Sequence, residues 1–233
     1  DALNALGQKN SVVTIAAAGK RFIKANLYPT ENTVKTGDTI SLTIGYKGGL
    51  SSRAGYAAEH VSQLPDGSRD YVDAVVKPYF NAYVTWLETI RCGMKGGELY
   101  DTIEAVLPKA EYHWSLCPGH LTADEEWMSS PIYSGSKEEL VSGMLFQIDI
   151  IPSVPGYGGI SAESTIALAD SDLQQQIRIQ APALWKRIEA RRNYMEKELG
   201  IHLSPHVLPM ASTVAYLRPL MLAKDMAMTV KSL

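Results

Sequence analysis

Two cysteines in 233 residues, Cys92 and Cys117, are too few for a disulfide framework, and with no secretory segment ahead of them they read as reduced thiols. Long hydrophobic runs are missing too: no stretch reaches the roughly 18 apolar residues of a membrane span. The opening DALNALGQKN lacks the basic and apolar regions of a signal peptide. Together these absences predict a soluble, cytoplasmic chain without a membrane partner. Positive charge is not in excess either. Lys and Arg number 22 against 25 Asp and Glu, a net charge of −3 with a pI of about 6.0, so there is no electrostatic footprint for nucleic acid. Small molecules, peptides or other proteins are the expected partners. There is no G-x-S-x-G, no P-loop and no dinucleotide fingerprint, and no low-complexity segment or linker.

What is present is a chain 45% hydrophobic and 20% charged, enough for one large domain over residues 1–233. It begins with Asp inside the helix-like ALNALG, so it is expected to be part of a longer protein. The β-branched SVVTIAAA (11–18) and TISLTIGY (39–46) read as strands, and residues 53–61 as a further extended run before the turn-forming LPDGS. From Arg69 to about Arg91 apolar residues recur at three- and four-residue steps, the period of a helix face, with Pro78 expected to kink the helix or shift its start. ELYDTIEAVLP is a second, shorter helix. MLFQIDII (144–151) and ISAESTIAL (160–168) read as strands, and the chain is helical again from Ser171 through LWKRIEARRNYMEKELG. Two β-rich blocks, each with helices, give an α+β domain.

One residue stands out on physical grounds. Asp149 is the single charge in MLFQIDII, and a carboxylate there requires a partner, a proton or a polar pocket. Glu163, in the middle of the more polar ISAESTIAL, is less forced. His202 and His206 are four apart, but Pro205 between them argues against a helical zinc pair. Cys117 and His120 are three apart, a weak basis for a thiol nucleophile, and a structural thiol is the preferred reading.

Five blocks, in order, resemble the creatinase, aminopeptidase P and methionine aminopeptidase family. PTENTVKTGDTISLTIGYKGG is similar to its "PT…GD" strand, and GMKGGELYDTIEAVLP to its helix after a glycine turn. PGHLTADEEW…SSPI is similar to its "GHG…P" loop, GMLFQIDIIP to its "GM…Glu-P" strand, and GGISAEST to its "G…Glu-Asp-T" strand. The resemblance implies the pita-bread fold: a curved antiparallel sheet flanked by helices, in two pseudo-symmetric halves around one cleft. It also implies a homodimer, to which the Met- and Leu-rich tail (203–233) is expected to contribute.

Peptidases of that family hold two divalent metals with two Asp, one His and two Glu. Carried over, the first Asp falls on Thr43, the second in LSSRAG, which has no carboxylate, the His on His120, and the two Glu on Asp149 and Glu163. The proton-shuttling His falls on Asn26, and a second substrate-side His near Trp127 or Met128. The resemblance therefore implies a hydrolase-like cleft for a small carbon–nitrogen compound or peptide, with His120, Asp149 and Glu163 as acid/base and orienting groups. Asn26 and Arg53 would serve on the substrate side. It implies no metal pair and no required cofactor, one weakly held divalent ion being the most the remaining ligands allow. Metal-free creatinase shows that the architecture hydrolyses without metal. The other reading is a catalytically inactive pseudo-peptidase that only binds its ligand. Arg53 would neutralise the carboxylates, or else be a solvated strand residue. The acidic run Asp124, Glu125 and Glu126 is expected to be a solvent-facing loop.

Overall fold

Proline sets the first helix. Pro78 has no N–H for the carbonyl four residues before it, and residues Val72–Val76 form a widened π-type turn that closes with the Lys77 N–H on the Val72 carbonyl. The regular helix α1 (Lys77–Thr89) begins there and buries Tyr79, Phe80, Tyr83, Trp86 and Leu87 along one side. Helix α2 (Gly96–Val106) packs beside it. Its first turn has no room for a side chain, because a Cβ on Gly96 would lie 1.9 Å from the Pro131 carbonyl oxygen. A short α3 (Lys109–Tyr112) follows.

The computed structural model describes residues 15–19, 31–46, 49–115, 117–123 and 129–230. Within these, two four-stranded antiparallel sheets form. One has the order β1 (Ile15–Ala18), β2 (Thr39–Tyr46), β3 (Gly49–Tyr56), β6 (Ser161–Glu163). The other has the order β4 (His120–Leu121), β5 (Leu145–Gln147), β7 (Thr165–Leu168), β8 (Val207–Pro209). The predicted strand at 160–168 is thus two strands, and between β6 and β7, at Ser164, the chain passes from one sheet to the other. The α+β class and the flanked antiparallel sheet are as expected.

Two boundaries differ from the sequence reading. The third extended run is β3 at 49–56 rather than 53–61, because the hairpin pairs Tyr46 with Gly49 and so fixes where the strand starts. The strand stops when Tyr56 hands its N–H to the Pro219 carbonyl and accepts from the Met221 N–H. The ladder of β5 is shorter than MLFQIDII suggests and is prolonged only by the Ile148 N–H to the Ser164 carbonyl, 3.2 Å. Of the strand predicted at 11–18, residues 15–18 are β1 and the rest lie outside the described residues.

Helices α4 (Ser171–Gln180) and α5 (Pro182–Lys197) form a hairpin capped by Asp170, whose carboxylate accepts the Leu173 N–H at 2.9 Å. Ile188 of α5 packs with Ala167, Ala169 and Leu208 on one face of the second sheet. The opposite face, with Phe146, Ile166 and Leu168, joins α1 and α2 in the main core. The tail, expected to cover a partner, buries Leu203, Val207, Val214, Leu217 and Leu220 against its own domain. The same tail leaves Met210, Leu222 and Met226 exposed. No helix among the described residues is long and apolar enough to cross a membrane.

Candidate functional site

Directly opposed residues of an antiparallel pair place their side chains on the same face. In the first sheet Thr43 opposes Ser52, and Ser52 opposes Glu163. In the second, His120 opposes Gln147, and Gln147 opposes Thr165. The Ile148–Ser164 bond carries this register one step on, setting Asp149 across from Glu163. A polar row therefore runs across both sheets through the junction at Ser164, and its middle is a cluster of ionisable groups.

His120 Nε2 lies 3.6 Å from Glu163 Oε1 and 3.8 Å from Asp149 Oδ2, and all three residues are buried. Nδ1 of His120 is 2.9 Å from the Leu121 carbonyl. A carbonyl only accepts, so Nδ1 carries the hydrogen and Nε2 is left facing the carboxylates. Gly119 fixes where the ring starts. Its φ is +138°, and a Cβ there would come within 2.9 Å of the Gln147 carbonyl oxygen, so β4 lies against β5 closer than a side chain permits.

The cluster draws protons. Burial raises the Asp149 carboxyl, the charge of Glu163 raises it further, and His120 opposes both, leaving it at about 7. Burial pulls the His120 imidazole down, but Glu163, the Leu121 carbonyl and Asp149 outweigh it, so its pKa is above the ordinary value. The Asp149 carboxyl and the His120 imidazole, buried side by side, therefore titrate together rather than independently.

His120, Asp149 and Glu163, expected as a set, are therefore together. Arg53 is in neither of its expected settings. Half-buried on the side of β3 away from Ser52, it donates to the carbonyls of Ser52 (2.7 Å), Glu163 (2.8 Å) and Thr213 (2.7 Å) and to the Ser164 hydroxyl (3.0 Å). It makes no ion pair with either carboxylate and braces the strand junction instead. Asn26, the Trp127–Met128 pair and the acidic run 124–126 lie outside the described residues. Cys117 spends its thiol on the Gly119 carbonyl at 3.2 Å. His206 accepts the Cys92 N–H in a non-helical segment, apart from the exposed His202. Two members of the polar row were missed: Gln147 and Thr165, joined by a 2.9 Å bond from Gln147 Nε2 to Thr165 Oγ1. The signal was available, since Gln147 is two residues before Asp149 and a strand alternates.

The fold family implies a divalent metal pair, which tests the donor set. His120, Asp149 and Glu163 are the one group of three or more potential metal ligands among the described residues, with donor atoms within 4.8 Å of one another. His120 Nε2, Asp149 Oδ1 and Glu163 Oε1 are buried without a hydrogen-bond partner. An imidazole anchored through its other nitrogen and two carboxylates suit one hard divalent ion. Among the described residues no further carboxylate, imidazole or thiol joins them to hold a second ion. Next along the row, Thr43 Oγ1 and Ser52 Oγ are hydrogen-bonded to each other at 2.7 Å, a neutral pair with no charge to balance a second cation.

No family model and no curated protein sequence matches the chain. Solved structures do. A dipeptidase from Pyrococcus horikoshii OT3 superposes with a TM-score of 0.55 at 23% identity, over 68% of this chain and 44% of that one. A Xaa-Pro dipeptidase from Bacillus anthracis gives 0.56 at 22%, over 70% and 45%. A variant of Escherichia coli aminopeptidase P gives 0.54 at 16%, over 72% and 44%. The fold is thus the pita-bread fold of these peptidases, and the chain spans less than half of their length.

Proposed function

We propose that this chain carries a hydrolase-like cleft of the Xaa-Pro peptidase and creatinase type that takes a small peptide or carbon–nitrogen compound without a two-metal centre. The observation that supports it is the row itself: a buried His120–Asp149–Glu163 cluster continued by the neutral Thr43–Ser52 pair rather than by further carboxylates. In this reading His120 Nε2 and the Asp149 carboxyl, both holding protons more tightly than in water, give and take a proton at the bound ligand, and Glu163 orients the imidazole. His120, Asp149 and Glu163 are also the residues that would hold a single divalent ion. Such an ion would supply Lewis-acid polarisation of a carbonyl. Arg53 acts on the cleft through the backbone, by holding the Glu163 carbonyl.

The Thr43–Ser52 pair also favours a second reading, a pseudo-peptidase that binds its ligand without turnover. One experiment tests the shared claim and separates the two. Xaa-Pro dipeptides and guanidino acids are titrated into the protein by calorimetry, in EDTA and in manganese, with product release followed in parallel. Binding in EDTA that is lost in His120→Ala and Glu163→Gln, with the fold retained by circular dichroism, is the expected result. Product release in EDTA assigns the hydrolase, and its absence assigns the binding module. Turnover that requires two manganese equivalents contradicts both.

A further inference from the structure

A cavity of about 570 Å³ lies between α5 and residues 209–212, the last residue of β8 and the segment after it, a volume typical of small-ligand sites. Positions 184, 187, 188, 191 and 194 of α5 line it, the spacing of one helix face. Leu184, Ile188 and Met210 make an apolar wall, and Arg187 and Arg191 supply two positive charges. No Asp or Glu lines the cavity. Arg191 is held in place by its bond to the Val214 carbonyl and by the Tyr194 ring, 4.8 Å from its guanidinium carbon. Arg187 is exposed and has no hydrogen bond or ion pair within the described residues.

We infer that this cavity recognises a small organic carboxylate with an apolar body, the carboxylate at Arg187 and Arg191 and the body against Leu184, Ile188 and Met210. Two cations without acidic neighbours select an anion, and a guanidinium presents the planar fork that a carboxylate matches. The apolar wall adds what inorganic anions cannot use. Met210 gives its backbone N–H to the Thr165 carbonyl at 3.1 Å, which puts its side chain on the sheet face of Thr165, Gln147 and His120. The anion selectivity of the cavity stands independently of the function proposed above.

The test reads binding alone, in EDTA, on the full chain, so its outcome is independent of any turnover in the cleft. Hexanoate, hexanamide and inorganic phosphate are titrated by ligand-observed NMR and calorimetry. Hexanoate is expected to bind at least about tenfold tighter than the other two, the worth of a charge-assisted pair. Arg187→Gln, an exposed change that spares the fold, is expected to remove that margin, Arg187→Lys to keep part of it, and Met210→Trp to block the cavity. Equal binding of hexanoate and hexanamide overturns the charge selection, and equal binding of phosphate overturns the role of the wall. No binding at all, or binding indifferent to Arg187→Gln, overturns the site.

Discussion

Thr43 and Ser52 face each other across β2 and β3 with their hydroxyl oxygens 2.7 Å apart, in the same cross-strand row as Glu163. One hydroxyl donates to the other, so this end of the row is a neutral pair, whereas the His120 end has buried ionisable atoms without a hydrogen-bond partner.

Replacing the pair by Thr43→Asp/Ser52→Asp puts two carboxylates beside Glu163. In EDTA the double variant is expected to be less stable to urea than the parent by about 1–3 kcal/mol, because like charges are brought together in a half-buried place. Excess manganese is expected to restore it. A variant as stable as the parent in EDTA would show that these side chains do not share the face of Glu163.

The cluster makes stability depend on pH. Asp149 is raised from 3.8 to about 7 and His120 is raised from 6.5, so the folded state binds more protons than the unfolded chain. The sign follows for both groups. Their contribution is fully present below the unfolded pKa and is lost as pH rises through the folded one, at a slope of at most about 1.4 kcal/mol per pH unit for each group. In EDTA the urea midpoint is expected to fall from pH 5 to pH 8. In Asp149→Asn the fall is expected to be smaller, and an unchanged pH dependence in that variant would rule out Asp149 as its source.

Gly119→Ala tests what places the imidazole. The new methyl would meet the Gln147 carbonyl at 2.9 Å in a backbone conformation that side chains avoid. A loss of about 1–3 kcal/mol is expected, together with a change in the His120 ring signals by NMR. A variant with parental stability and an unmoved His120 would mean that β4 has slack.

Arg53→Met removes a guanidinium from three carbonyls and a hydroxyl at the strand junction. The uncompensated acceptors are expected to cost about 2–4 kcal/mol, read by urea unfolding. Arg53→Lys is expected to recover less than half, since an ammonium lacks the fork. Full recovery with Lys would point to charge rather than geometry.

How far the sequence reveals this depends on the kind of interaction. Asp149 was legible because an apolar strand cannot hold an unexplained carboxylate, and α1, α4 and α5 were legible because helical periodicity is local. The break at Ser164 was not, since nothing in ISAESTIAL marks the change of sheet, which is set by pairing with β3 on one side and β5 on the other. Arg53 lies in a strand, as expected, but its partners there could not be read from the sequence. Its carbonyl acceptors come from Ser52, Glu163 and Thr213, and backbone acceptors leave no mark in the residue alphabet. The tail from residue 203 lacked a period because it is held by scattered backbone bonds to Tyr56, Ala58 and Leu199 rather than by a repeating face.

The central claim is that the described residues of this cleft supply ligands for one divalent ion at most, and its stoichiometry is the most direct measure. After dialysis against excess manganese, elemental analysis is expected to find no more than one equivalent per chain, with any bound metal lost in Glu163→Ala. Close to two equivalents, removed together by that substitution, would contradict the account and give the site back to two-metal chemistry.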